Sequence, residues 1–178
     1  LYSDAYINNN GNITFDTEFI GFTSEGFPTN AVVMVAPFWA DVDTRGEDGF
    51  GLNGGLVRYK ITETALIVNW VDVGYYSQYT DKKCSFQLII TNGEDPLISE
   101  GKNTSFCYKD MQWTTGDASG GENGFGGTPA TVGSNKGNGT DYVQFGRFDH
   151  EGVDFDGPET LSENDGVSFL DNQNFVFS

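Results

Sequence analysis

At 178 residues, with 15 Phe, 8 Tyr and 3 Trp, the chain has the material for one substantial core. Its 26 acidic residues against nine basic ones leave a formal charge of −17, which repels phosphate backbones and anionic headgroups and argues against nucleic acid as a partner. No run reaches the eighteen or so apolar residues of a spanning helix, which argues against membrane insertion; no basic start leads into an apolar stretch, so a secreted protein would be represented here in processed form.

The opening Asp4-Ala5-Tyr6-Ile7-Asn8-Asn9-Asn10-Gly11-Asn12-Ile13-Thr14-Phe15 holds two short runs around Asn10-Gly11, the dipeptide suited to a type I′ turn. A hairpin about that turn sets Tyr6 opposite Phe15, keeps Ile13 on their face and directs Asn12 and Thr14 to water. Alternating or β-branched runs follow at Ala31 to Val35, Leu56 to Ile61, Leu66 to Val73 and Ser85 to Thr91, with Phe86, Leu88 and Ile90 on one face. Turn chemistry separates them at Asn53-Gly54-Gly55, Thr62-Glu63-Thr64 and Asn92-Gly93-Glu94-Asp95-Pro96.

From Thr114 to Thr140 the chain is rich in Gly, Ser, Thr and Asn, and reads either as a packed Ω-like loop anchored by Phe125, Pro129 and Val132 or as a disordered excursion. Val167 to Leu170 and Phe175 to Phe177 read as a closing pair of strands. No long window carries a helical period. The expected fold is one all-β domain over residues 1–178, an antiparallel β-sandwich or irregular barrel with long Gly-rich loops and little helix.

Three segments carry a family resemblance. They are Ala36-Pro37-Phe38-Trp39-Ala40-Asp41-Val42-Asp43-Thr44-Arg45, then Phe86-Gln87 with Thr91-Asn92-Gly93, then Met111-Gln112-Trp113-Thr114-Thr115-Gly116 with Ala118-Ser119-Gly120-Gly121. In this order they resemble the NIDO (nidogen-like) extracellular domain family. The resemblance implies a non-enzymatic module of matrix, adhesion or surface proteins, and a further aromatic-rich strand ahead of the point matching Leu1. Such a module would be extracellular, with matrix or surface proteins or further copies of itself as partners, and could build fibres by strand exchange at an incomplete sheet edge.

Asn12-Ile13-Thr14, Asn103-Thr104-Ser105 and Asn138-Gly139-Thr140 are acceptor patterns for N-linked glycans, either used in a eukaryotic secreted protein or accidental in an Asn- and Thr-rich chain. Cys84 and Cys107 are too few for a cysteine zinc site. They read as one disulfide, contributing roughly 3 kcal/mol, or as two buried thiols of a reducing compartment. Asp41, Asp43, Glu47 and Asp48 cluster hard oxygen ligands as a Ca2+ site requires, but lack the EF-hand's closing Glu. The alternative is that Asp41 and Asp43 cap turns or pair with Arg45. Asp149, Glu151, Asp154 and Asp156 form a second, less specific cluster.

Gly116-Asp117-Ala118-Ser119-Gly120-Gly121 is one residue longer than a serine-protease nucleophile loop, and the sole histidine, His150, follows it in the chain; a tight turn explains the residues without chemistry. No carboxylate pair is marked out for glycoside hydrolysis. A rival to the matrix reading is a calcium-dependent carbohydrate-binding module in which Trp39, Trp70 or Trp113 stacks on sugars.

Overall fold

In the computed structural model, which describes residues 2–46, 53–158 and 164–178, two antiparallel-type sheets stack face to face as a sandwich. The first has the order β1 (Ala5–Asn8), β2 (Asn12–Phe15), β3 (Val33–Trp39), β9 (Ala130–Asn135), β10 (Tyr142–His150) and β11 (Asp165–Gly166), and only the β10–β11 pair is parallel. The second runs β12 (Asn174–Phe177), β8 (Thr104–Met111), β7 (Tyr79–Thr91) and β6 (Ala65–Tyr75). Along the far edge of β6 lie β5 (Leu56–Ile61) and β4 (Val42–Asp43).

The core between the sheets is aromatic. Trp70 stacks on Phe86 with ring centroids 5.0 Å apart, and Phe38 meets Trp113 edge-on at 5.7 Å. Each such pair contributes about 0.5–1.5 kcal/mol beyond the area it buries. Phe86 and Leu88 are buried with Ile90 packed beside them, as the alternation in β7 requires. β5 has the bounds read from the sequence, and β12 contains the closing Phe175–Phe177 run.

A register shift between Ala36 and Trp39 changes which side chains of β3 face inward. Val35 and Phe38 enter the main core; Met34, Ala36 and Trp39 point to the opposite face and form a second, smaller core with Phe27. The segment 16–32 covers that outer face. It is pinned there by Trp39 Nε1 to Gly21 O (3.1 Å), Phe27 N to Gln144 Oε1 (3.0 Å), Arg147 Nη2 to Ser24 O (2.6 Å) and Thr29 N to Asn135 Oδ1 (3.0 Å).

This cover corrects the expected first hairpin. The register is Tyr6 opposite Thr14 and Asn8 opposite Asn12, so the loop is Asn9-Asn10-Gly11, with Gly11 left-handed at φ +74. A Cβ on Gly11 would stand 1.7 Å from Phe38 O, so only glycine fits. Asn12 and Thr14 are buried, with Thr14 Oγ1 donating to Thr17 O at 2.7 Å. Two further readings change. Val167–Leu170 is a 3-10 helix that buries Val167 and Leu170 on one side, a spacing a four-residue apolar run cannot distinguish from a strand. The Gly-rich stretch is packed and delivers β9, an interior strand, at its end.

Candidate functional site

The two sheets do not end together. In β5, Val57 packs on the core, and Tyr59 and Ile61 share its face by the two-residue period of a strand. Yet Tyr59 is 66% and Ile61 68% exposed, because the first sheet stops at β1 and places nothing opposite them. The result is an open slot of about 610 Å3 lined by Tyr2, Ile7, Phe15, Tyr59, Ile61 and Leu66. Sheets pack about 10 Å apart, so the slot has the depth of one layer of side chains.

Among the described residues no strand pairs with the outer edge of β1, so its backbone groups face solvent beside this slot. β1 carries none of the usual edge protection, being free of Lys and Pro and without a bulge. The parallel edge of β5 carries Arg58 and Lys60, the kind of charges that discourage strand addition. Of the two edges, β1 is the receptive one.

At the far end of β4 the acidic corner is a structural knot. Asp43 accepts from Arg45 Nε (2.9 Å) and Nη2 (2.5 Å) and from the Gln78 amide (3.0 Å). Burial pushes its carboxyl up, but the bonds from Arg45 outweigh this and hold it below the ordinary carboxylate value. Asp41 is only 4% exposed, and its Oδ2 has no hydrogen-bond partner. Burial pushes its pKa up to about 6 against the opposing amides of Ala118 and Ser119, with the Asp43 and Asp117 charges adding to the rise. Tyr76 N donates to Asp41 O (3.1 Å) and Asp117 N to Tyr76 O (2.8 Å), so this corner joins three separate loops.

Calcium needs six to eight oxygen ligands. Glu47 and Asp48 lie outside the described residues; among the described ones, no three His, Cys, Asp or Glu side chains are disposed to hold a metal, and Asp43 is engaged by Arg45. Asp43 thus forms the ion pair with Arg45 that the alternative reading named, whereas Asp41 does not pair with Arg45. In the second cluster Asp149 and Asp154 flank His150 at 2.5 and 3.1 Å, Asp156 N donates to Asp165 Oδ1 (3.3 Å), and Glu151 is exposed. Burial pulls the His150 pKa down, but the Asp149 bond, which is the larger effect, raises it above the ordinary value. With both His150 nitrogens taken by carboxylates and Ser119 Oγ paired with Thr23 Oγ1 (3.0 Å), these residues make no nucleophile–base pair.

The cysteines are not joined, which corrects the disulfide reading. Cys84 faces the core and pairs in register with Met111, whereas Cys107 lies opposite Gln87, four residues along β8 and on the outer face with Ser105 and Asn174. That separation is about 13 Å along the strand, beyond the roughly 7 Å that a disulfide can span. Both thiols are free. The three tryptophans are buried and spend their indole N–H groups on backbone: Trp39 on Gly21 O, Trp70 on Asn8 O and Asn9 O, Trp113 on Val73 O. None offers a face for a sugar to stack on, which overturns the platform proposed for carbohydrate binding. Of the three glycan acceptors, Asn103 and Asn138 are exposed; Asn12 is wholly buried, and a glycan there does not fit the folded chain.

The slot was not legible in the sequence. Tyr59 and Ile61 read as ordinary strand residues, and only sheet order shows that nothing faces them.

Comparison with known proteins shows the family. The family model described as "Nidogen-like domain" matches residues 3–52 and 55–167. Alpha-tectorin of Mus musculus is 34% identical over 158 residues, covering 79% of this chain, and alpha-tectorin of Homo sapiens is 33% identical over 171 residues. Nidogen of Drosophila melanogaster is 26% identical over 142 residues, 67% of this chain. The chain spans 7% of the length of the tectorins and 10% of that nidogen. No solved structure matches it significantly.

Proposed function

The chain belongs to the nidogen-like domain family, and on that premise we propose that it is a non-catalytic adhesive module of the extracellular matrix that assembles by accepting an extended terminal segment of another copy along the edge of β1. The observation that supports this reading is the pair Tyr59 and Ile61, apolar side chains on the inner face of a sheet with no strand opposite them. A strand laid beside β1 would hydrogen-bond its open edge and send alternate side chains into the slot. The extracellular setting follows from the family, and among the described residues no helix is long and apolar enough to cross a membrane.

The energetics favour a weak contact. Covering Tyr59 and Ile61 contributes about 1.5–3 kcal/mol each, and three or four new backbone bonds add about 1 kcal/mol apiece. Lost translational and rotational freedom costs about 4–15 kcal/mol, and two copies at −17 each repel one another at low salt. Affinity should thus be micromolar or weaker and should rise with ionic strength, with strength in the matrix coming from repetition.

Light scattering across protein concentration at physiological and higher salt tests this. Association is expected to grow with both variables, and Ile61→Asp is expected to abolish it while leaving thermal stability nearly unchanged, since that side chain is already exposed. A chain that stays monomeric at every concentration and salt would remove the self-assembly reading.

A further inference from the structure

We propose that Asn138 carries an N-linked glycan whose first sugars lie in the adjoining cleft on the outer face of the first sheet, so that the glycan completes the cover over that face. The cleft has a volume of about 640 Å3, within the range of small-ligand sites. It is walled by Phe19, Pro28 and Val32 with Thr23, Glu25 and Asn30 among them. That mixture suits an N-acetylhexosamine: the ring face and acetyl methyl meet the apolar wall, and the hydroxyls and amide meet the side-chain oxygens and nitrogens.

The acceptor turn is fixed against this cleft. Gly139 is part of its lining, and Gly139 N donates to Thr29 O at 3.2 Å. Gly137 packs so closely that a Cβ there would stand 2.7 Å from the Val32 carbonyl carbon. The wall is braced in turn by Asn135, whose Nδ2 donates to Thr29 Oγ1 and Val32 O at 3.0 Å each. A sugar on Asn138 therefore starts at the rim of the cleft on a rigid support, and the second binding event is intramolecular.

The Asn138 side chain is exposed; its Nδ2 donates to Asp141 Oδ2 at 3.0 Å, while its Oδ1 accepts from the Asp141 amide (2.8 Å) and from Thr140. Only the first of these bonds involves the nitrogen that would carry the sugar, and it is a solvent-exposed one of modest worth. Asn103 is also exposed but lines none of the clefts described, and serves as the internal control.

The test is secretion of the chain from a eukaryotic host, site occupancy by intact and peptide mass spectrometry, and hydrogen exchange of residues 19–32 before and after enzymatic release of the glycans. Asn138 is expected to be occupied and its glycan to be released more slowly from native than from unfolded protein. Exchange in 19–32 is expected to speed up by about threefold or more on release or in Thr140→Ala, but not in Asn103→Gln. A bare Asn138 overturns the proposal. So does an occupied Asn138 whose removal leaves exchange in 19–32 unchanged.

Discussion

Replacing Asp41 by Asn should change how stability depends on pH more than it changes stability itself. Asp41 is buried with Oδ2 unpartnered, and its pKa rises from the ordinary 3.8 to about 6 in the folded chain. Because the folded state holds this proton more tightly than the unfolded state, the contribution is favourable at low pH and is lost as pH rises through about 4 to 6. At 1.36 kcal/mol per tenfold change in proton affinity the whole effect is about 3 kcal/mol, of which about 2–3 kcal/mol falls between pH 4 and pH 7.5. Asn keeps an oxygen for the Ala118 and Ser119 amides and has nothing to titrate. The stability of Asp41→Asn relative to the parent should therefore climb by 2–3 kcal/mol from pH 4 to pH 7.5, about 4–12 °C in melting temperature for a domain of this size. Denaturant unfolding of both proteins at five or six pH values measures it. Carboxylates not coupled to Asp41 cancel in the difference, including Asp165 and Asp171, which burial also raises, and Asp81, where burial is outweighed by the bonds from Lys82 and Tyr75 together, which lower it. A difference that stays flat across this range would refute the reasoning, and with it the claim that Asp41 is a buried carboxylate without full hydrogen bonding.

Thiol alkylation under native conditions should label Cys107 and spare Cys84, whose thiol burial pushes up to about 12; equal labelling of both would contradict the strand register. Gly11→Ala should cost several kcal/mol or prevent folding, since it combines a left-handed backbone with a clash against Phe38 O, and a melting temperature within 2 °C or so of the parent would show the turn to be wrong. Trp70→Ala should cost about 3–5 kcal/mol by emptying the centre of the aromatic stack, read from denaturant midpoints at constant slope. Sugar binding by the bare polypeptide should be undetectable on a glycan array with or without EDTA, and binding abolished by mutating Trp70 or Trp113 without loss of stability would restore the carbohydrate reading.

Local sequence determined the class of fold and much of the strand inventory. β5 carries the bounds its composition indicated, β6 and β7 contain the expected runs, and the Phe86, Leu88, Ile90 face is the core face, because a two-residue period is a local property of an extended chain. The three motif segments likewise carried the family, which needs residues in order and no contacts. What periodicity cannot report is what lies over each face. The segment 16–32 folds across the first sheet from outside it, so Asn12 and Thr14 are buried where alternation alone put them in water, and Trp39 is sealed beneath it. The separation of Cys84 from Cys107 depends on pairing between β7 and β8, and the alternation that places them on opposite faces acts only once that register is set. The open edge at β1 exists only as a relation between two sheets: Tyr59 and Ile61 look like core residues in the sequence, and they are left exposed because sheet order, a product of long-range pairing, places no strand across from them.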